Sequence, residues 1–306
     1  SNHAQSQSNE YPMNNSFLES ILSGQSLVSD GATGTNLIAR GLPHGTTSEH
    51  WVLEQPEQII RLHQEFVAAG ANLILTSTFG ATSLRLAGSS LTGRAAEVNQ
   101  RAVALARQAV GTSSVWVAGS LGPVGGLLKP YGPLEVEAVT AAYAEQARSL
   151  AEAGADLLAI ETQFDLGEAK AAVQAVRSVT DLPLVCSFSY DRGKRTMMGV
   201  SPTQAARQLA DLGIDLIGIN CGRSLEENLQ NLVELRQATN LPIWFKPNAG
   251  LPQIDENNRT TYSLTPAEMG ALAPAWLEAG AQVVGGCCGT SPEHLAHIAR
   301  SLSPQG

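Results

Sequence analysis

The chain has 306 residues, 43% of them hydrophobic, and its 19 Lys plus Arg against 28 Asp plus Glu give a formal net charge of −9. A chain of this size can bury a large core, and its acidic balance lacks the basic surface that nucleic acids and anionic lipids require. No apolar run approaches the roughly 18 to 20 residues that span a bilayer, and the N-terminus lacks the basic-then-apolar order of a signal peptide. We therefore expect a cytoplasmic protein with neither nucleic acid nor a membrane as partner.

Residues 1–15, SNHAQSQSNEYPMNN, are mostly polar and do not begin with Met. We expect them to be a loose tail or a remnant of cloning, and we place the folded domain in residues 16–306.

Four similar phrases recur along the chain, and each precedes a short apolar run. They are AGAN at 69–72, AGAD at 153–156, LGID at 212–215 and AGAQ at 279–282. A helix that ends at glycine and leads directly into a buried strand is typical of an α/β protein. With four further apolar segments, the predicted strands number eight. They lie in SLVSDG from residue 26, LILTSTF from 73, SVWVAGSLGP from 114, LLAIET from 157, DLPLVCSFSY from 181, LIGINC from 216, NLPIWFKPN from 240 and VVGGCC from 283.

Amphipathic stretches alternate with these strands. They cover 57–69, 94–110, 133–153, 166–180, 203–213, 226–239, 265–279 and 292–302. Eight successive strand–helix units predict a parallel sheet, and eight is the number that closes on itself, so we predict a single (β/α)8 TIM-type barrel. The main alternative is an open doubly wound sheet. That fold usually carries a G-x-G-x-x-G turn, and the nearest match here is GATG at 31–34.

Catalytic residues of such barrels lie where the strands end. Cys221 ends the sixth predicted strand, and Cys287 and Cys288 end the eighth. We expect these three thiolates to converge on a borderline cation, Zn²⁺ above all, with one coordination position open. The glycines of GGCCG allow both neighbouring sulfurs to turn toward one ion. The fourth cysteine, Cys186, lies inside a strand, which predicts a buried structural thiol.

Two other interpretations of these residues stay open. Cys287 and Cys288 could be incidental or could form a vicinal disulfide, although the nearby glycines and Cys221 favour a metal site. His294 and His297 stand one helical turn apart and could share a metal, but a surface position is favoured for both.

Three thiolates on Zn²⁺ give an electron-rich centre that activates water poorly but keeps a fourth sulfur nucleophilic. The pattern therefore predicts alkyl transfer to a thiol and argues against a zinc hydrolase. Glu161, with Asp30 nearby, could bind an ammonium group, and the backbone amides of residues 31–34 could bind a carboxylate. This set predicts an amino-acid thiol as substrate. Glu161 could instead cap the following helix or pair with an arginine.

Seven segments resemble, in order, the homocysteine S-methyltransferase family. They are SDGATGTNL at 29–37, LTSTFGA at 75–81, GSLGPVG at 119–125, AIETQFDLGEAKAA at 159–172, GINC at 218–221, PNAGLP at 247–252 and GGCCGTSPEHL at 285–295. The resemblance is greatest to the homocysteine module of cobalamin-dependent methionine synthase. Betaine-dependent and S-methylmethionine-dependent members are more distant.

The resemblance implies a (β/α)8 barrel that methylates the homocysteine thiol to give methionine. It implies Cys221, Cys287 and Cys288 as zinc ligands that act in catalysis with Glu161. The substrate-binding residues that we expect are Asp30, Gly31, Thr78, Phe79, Glu161 and Asn220.

The methyl donor stays open, because methionine synthases continue into further modules and this sequence stops after its eighth predicted barrel helix. Methylcobalamin on a separate corrinoid protein, S-methylmethionine or a betaine-like compound could serve. The alternative function is a homocysteine-binding module that is active only with a separate methyl-corrinoid partner protein. The stretch LPQIDENNRTTY, 251–262, is predicted to be a long polar loop, either solvated or acting as a lid or docking surface.

Overall fold

The protein is described here by a computed structural model that covers residues 16–303, so the expectation for residues 1–15 lies outside the described part. The strands are β1 Leu27–Val28, β2 Leu73–Leu75, β3 Trp116–Leu121, β4 Leu157–Gln163, β5 Leu184–Phe188, β6 Leu216–Cys221, β7 Ile243–Pro247, β8 Pro252–Ile254, β9 Thr260–Tyr262 and β10 Ala281–Val284. Eight of them form one parallel sheet in the order β1-β10-β7-β6-β5-β4-β3-β2. These eight are the eight strands that the sequence predicts.

Hydrogen bonds between β1 and β2, which stand at the two ends of this order, nearly close the sheet. Asn72 N donates to Val28 O, and Asn72 Oδ1 accepts from Val28 N, both at 2.7 Å. Next to them, Asp30 Oδ2 accepts from Leu75 N at 2.9 Å. The predicted (β/α)8 TIM-type barrel is confirmed.

The helices surround this sheet. They are α1 Ser16–Leu22, α2 Gly34–Ala39, α3 Ser48–Glu54, α4 Pro56–Ala69, α5 Ser83–Leu86, α6 Ala95–Val110, α7 Val136–Glu152, α8 Leu166–Val179, α9 Pro202–Leu209, α10 Leu225–Ala238, α11 Pro266–Glu278 and α12 Pro292–Leu302. The eight predicted helices correspond to α4 and to α6–α12. Three of these begin with a capping box followed by proline, at Ser201, Thr265 and Ser291, which fixes their first turns. None of the helices within 16–303 is long and apolar enough to cross a membrane.

Helix α1 is not predicted by the sequence and packs against an inner apolar cluster of the barrel. The strands contribute to this cluster Leu27, Leu73, Leu75, Ala118, Leu157, Ala159, Val185, Leu216, Trp244 and Val283. Phe17 and Ile21, one helical turn apart, join this cluster. The Phe17 ring meets Trp116 edge to face at 5.6 Å, and Trp116 Nε1 donates to Ser16 Oγ at 2.8 Å. Because Trp116 begins β3, these contacts place α1 at the end of the barrel opposite to the strand carboxyl ends.

The stretch after β7 differs from its prediction. Instead of a structureless loop, 252–262 forms an antiparallel hairpin in which Pro252 pairs with Tyr262 and Ile254 with Thr260. Asp255 accepts from the backbone N–H groups of residues 257 and 259, and Asn258 takes a left-handed φ of 59°. Polar turn residues at 255–258 therefore mark a tight turn between two short strands.

Candidate active site

The predicted cysteine cluster forms at the carboxyl ends of β6 and β10. Sulfur atoms of Cys221, Cys287 and Cys288 all lie within 4.8 Å of one another, and this is the one such cluster of potential metal ligands in the described residues. The Cys221 and Cys288 sulfurs are 4.0 Å apart, and all four cysteines are free thiols. The vicinal disulfide is therefore absent, and the geometry suits a single cation with three sulfur ligands.

Glycines bring the loop after β10 close to its neighbours. A Cβ atom on Gly285 would lie 2.7 Å from Asp30 O, and one on Gly286 would lie 2.3 Å from the Thr290 side chain. The loop is anchored by Cys287 N, which donates to Pro247 O at 2.8 Å, and by Thr290 Oγ1, which donates to Cys287 O at 2.6 Å. Only glycine at 285 and 286 lets the backbone approach this closely, which turns both sulfurs toward Cys221.

Asn248 joins the two cysteine-bearing loops. Its Oδ1 accepts from Cys288 N at 3.0 Å, and its Nδ2 donates to Gly222 O at 3.2 Å. One buried amide thus fixes the distance between the segments that carry Cys221 and Cys288. Asn248 ends the seventh predicted strand segment but is not among the metal ligands or substrate residues expected from the sequence.

The hairpin contributes Tyr262 to the edge of the cluster. A Cβ atom on Gly289 would lie 2.2 Å from the Tyr262 ring, so the ring packs directly on the loop of Cys288. Burial and the nearby Cys288 raise the pKa of Tyr262 to about 12, which keeps the phenol neutral. The segment that looked like a plain polar loop therefore covers one side of the cluster.

The three thiols share their negative charge unequally. Hydrogen bonds from Cys287 and then Cys288 lower the pKa of Cys221, whereas the interaction with Cys221 raises the pKa of both partners. Three thiolates this close repel one another, so a bound cation is what would allow all of them to be ionised together.

Inside the barrel, side chains change from apolar to polar toward the carboxyl ends of the strands. Because successive side chains of a strand point to opposite faces, a residue two positions after an inward-facing one also faces inward. The inward-facing residues that follow the inner apolar cluster, nearer the carboxyl ends of the strands, therefore form a second layer, which is polar. This polar layer consists of Ser29, Ser77, Ser120, Glu161, Ser187, Asn220 and Lys246, all of which are buried.

Glu161 keeps one carboxylate oxygen available. Its Oε2 accepts from Ser120 Oγ at 2.6 Å, and its Oε1 accepts no hydrogen bond from the described residues. Burial raises the pKa of Glu161, while the charge of Lys246 and the bond from Ser120 act in the opposite direction. Ser77 Oγ, in the same layer, is buried without a partner among the described residues. The alternatives for Glu161, a helix cap or an arginine pair, are not what the structure shows.

Asp30 is engaged at both carboxylate oxygens. Its Oδ1 accepts from Lys246 Nζ at 2.7 Å, and its Oδ2 accepts from Leu75 N at 2.9 Å. Only 1% of Asp30 is exposed, compared with 7% of Glu161. The expected pair of acidic residues is thus present, but both oxygens of Asp30 accept hydrogen bonds within the protein, whereas Glu161 keeps one oxygen free.

Asn220 connects the ends of β4, β5 and β6. Its Oδ1 accepts from Thr162 N at 3.0 Å and from Ser187 Oγ at 2.6 Å, and its Nδ2 donates to Thr162 Oγ1 at 2.7 Å. The same Nδ2 lies 4.0 Å from Cys287 Sγ. Asn220 therefore stands between the glutamate strand and the cysteine cluster.

The remaining expected substrate residues contact neighbouring loops. Gly31 packs on Thr290, where a Cβ atom would lie 2.7 Å from Thr290 Oγ1, and Ala32 N already donates to Thr290. Thr78 is fully buried, and its hydroxyl donates to Ser120 O at 2.6 Å. Phe79 is 37% exposed at the mouth of the barrel.

Two secondary expectations have opposite outcomes. Cys186 is fully buried, as predicted for a structural thiol, and burial raises its pKa. The surface position expected for His294 is wrong, because the side chain is buried. Its Nδ1 contacts Ser291 Oγ and its Nε2 contacts Leu264 O, both at 2.9 Å.

Sequence comparisons identify relatives along most of the chain. A sequence model described as homocysteine S-methyltransferase matches residues 27–302. Methionine synthases of Mycobacterium tuberculosis and Mycobacterium leprae are 31% and 30% identical over 92% and 96% of this chain. The chain spans only 25% and 26% of the length of these two relatives.

Solved structures give the same relationship. The homocysteine methyltransferase MmuM of Escherichia coli in its oxidised form is 29% identical, with a TM-score of 0.79 over 92% of this chain and 98% of that chain. Its metallated form is 28% identical, with a TM-score of 0.78 over 92% of this chain and 99% of that chain. With the family matched from the first barrel strand to the last helix, this protein belongs to the homocysteine S-methyltransferase family.

Proposed function

We propose that this protein is a zinc-dependent enzyme that transfers a methyl group to the thiol of homocysteine and forms methionine. The observation that carries the proposal is the convergence of Cys221, Cys287 and Cys288 in the same barrel mouth as the available carboxylate of Glu161. Family membership and the likeness to the E. coli enzyme support it.

The chemistry of the cysteine cluster fits Zn²⁺. Three sulfurs within 4.8 Å of one another form a soft ligand set with room for a fourth, exchangeable ligand. Bound zinc would supply Lewis acidity that keeps the acceptor thiol ionised near neutral pH. Since the ligands must stay reduced, the proposal includes a reducing compartment such as the cytoplasm.

The polar layer would orient the amino acid. Glu161 Oε1 is placed to accept from the substrate ammonium group, and the buried Ser77 hydroxyl is a free polar atom that a ligand could satisfy. Phe79 would line the mouth. Gly31, Thr78 and Asn220 would act by holding the adjoining backbone, since their contacts go to neighbouring loops and strands.

Metal binding is tested by zinc titration of the purified protein. We expect one zinc per chain, and loss of zinc binding in Cys221→Ala, Cys287→Ala and Cys288→Ala. The matched control is Cys186→Ala, which removes a buried thiol from the same barrel and should leave zinc binding intact. Homocysteine added to the zinc-loaded protein should release about one proton per site, because the thiol binds as thiolate. Unchanged zinc coordination on addition of homocysteine would contradict the proposal.

The methyl donor is tested with a panel. Zinc-loaded protein and homocysteine are mixed with methylcobalamin, S-methylmethionine or betaine, and methionine is measured. Turnover with a free donor supports a self-sufficient enzyme. The second candidate is a homocysteine-binding module that requires a separate methyl-corrinoid protein, and it is favoured by the 31% and 30% sequence identity to the mycobacterial methionine synthases. That candidate predicts homocysteine binding without turnover until the partner is added.

A further inference from the structure

The two carboxylates expected at the substrate ammonium group are not equally accessible. Asp30 is 1% exposed, and both its oxygens already accept hydrogen bonds, one from Lys246 and one from the backbone of Leu75. The Leu75 bond also belongs to the seam between β1 and β2, so Asp30 cannot turn away without opening the barrel at that seam.

Lys246 brings a cation into the polar layer. Its ammonium lies 2.7 Å from Asp30 Oδ1, and the two side chains are 3% and 2% exposed. It also lies 5.6 Å from the centre of the Trp244 ring, which belongs to the inner apolar cluster. A buried ion pair of this kind is stable as a pair, whereas either charge alone is costly.

The charge count of this layer has a consequence for recognition. Lys246 of this layer is neutralised by the adjacent Asp30, so among the described residues Glu161 is the one charged side chain of the layer without an ion-pair partner, matching one substrate ammonium group. Resting on the proposed function, we propose that Lys246 is a specificity-determining residue that withholds Asp30 from the substrate, so that Glu161 alone binds the ammonium group of homocysteine.

Electrostatics in the layer agree with this assignment. Burial has the largest effect on the pKa of Glu161 and raises it; in addition, the positive charge of Lys246 lowers this pKa and the negative charge of Asp30 raises it, so both groups act on Glu161 through space. Removing Asp30 alone would leave Lys246 free to pair with Glu161. Removing both members together would leave the charge of Glu161 unchanged.

The test compares homocysteine with 4-mercaptobutyrate, which is the same thiol without the ammonium group. The dissociation constants of both are measured by calorimetry on zinc-loaded protein, and their ratio reports ammonium recognition. The ratio is corrected for the intrinsic difference in thiol acidity between the two ligands, so that a value of 1 means no ammonium recognition. A charged hydrogen bond should make the wild-type ratio about 10 to 100.

Opposite results are expected for the single and the double variant. In Asp30→Asn the ratio should fall to within about 3-fold of unity, because the released Lys246 captures Glu161. In Asp30→Asn/Lys246→Met it should return to within about 3-fold of wild type. The amide oxygen introduced by Asp30→Asn can still accept from Leu75 N, and Met has nearly the length of Lys, so the double variant keeps the seam and the volume. Glu161→Gln should bring the ratio to about 1 in both the wild-type and the double background.

The double variant decides the question even if a single variant does not fold. It removes the ion pair as a unit, and its folding is checked by its zinc content and melting temperature. A ratio near unity in the double variant would show that Asp30 binds the ammonium group directly and would overturn the inference. If wild type binds both thiols equally, thiol binding stands but the role of Glu161 is wrong. If wild type binds neither, the proposed function itself fails.

Discussion

Replacing Asn220 with alanine should loosen the ends of two strands at once. The amide makes three hydrogen bonds, at 2.6, 2.7 and 3.0 Å, to Ser187 and Thr162. At about 1 kcal/mol each, their loss should lower the free energy of unfolding by about 3 kcal/mol. Thr162 has a left-handed φ of 59°, which costs about 1 to 2 kcal/mol outside glycine, so without its partner it should relax.

A change in the backbone of Thr162 should also affect substrate binding, because Thr162 directly follows Glu161. We expect homocysteine to bind about 10-fold more weakly once the carboxylate loses its fixed direction. Unfolding is followed in urea with metal removed by chelation, so that zinc binding does not mask the change. Ser187→Ala is the control, since it removes one of the three bonds and should cost about 1 kcal/mol. An Asn220→Ala protein with wild-type unfolding and wild-type homocysteine affinity would refute this reasoning.

Three further predictions concern the site and the fold. Burial raises the pKa of Glu161, so its carboxylate should become protonated at a pH above the ordinary glutamate range. As the pH is lowered, the affinity for homocysteine should therefore decrease relative to the affinity for 4-mercaptobutyrate, and Glu161→Gln should remove this pH dependence. Gly289→Ala should weaken zinc binding by about 10-fold or more in a chelator competition, because Gly289 has a φ of +80° and the new Cβ would clash with the Tyr262 ring. The control Tyr262→Phe keeps the ring and should bind zinc as the wild type does. Burial lowers the pKa of His63 to about 4, so between pH 6.5 and 4 the unfolded state binds a proton that the folded state does not. The free energy of unfolding should therefore fall by about 3 kcal/mol as the pH is lowered through this window. His63→Leu should abolish this part of the pH dependence of stability, whereas the control His44→Gln, at an exposed position, should keep it.

The sequence was sufficient for the barrel because its signals are local and repeated. Glycine at 70, 154, 213 and 280 follows a helix and takes a positive φ in every case, as the repeated phrases predict. Helix α1 carries no such signal. Its two buried apolar side chains, Phe17 and Ile21, have a packing partner only after the barrel has formed, so the sequence of the helix alone does not reveal their role.

The metal ligands were predictable for a related reason. In a parallel barrel every strand ends at the same rim, so sequence position alone places Cys221 near Cys287 and Cys288. Contacts made by side chains across the barrel were not predictable in this way. The partner of Lys246 is 216 residues away, and no local pattern distinguishes a buried ion pair from a surface lysine.

The position of Glu161 shows what the strand pattern leaves out. Between Ile160 and Gln163 the pairing of β4 with β5 shifts register, and Thr162 takes the left-handed conformation within this irregularity. Such a bulge bends the strand and changes the direction of its side chains at the point where Glu161 meets Ser120. Cys221 has the same rare conformation, with φ at 61°, at the end of β6. Each strained strand end is held by a buried asparagine amide: Asn220 bonds to Thr162, and Asn228 Nδ2 donates to Cys221 O at 2.7 Å. These amides offset the cost of the left-handed backbone at the residue after the carboxylate and at the cysteine itself.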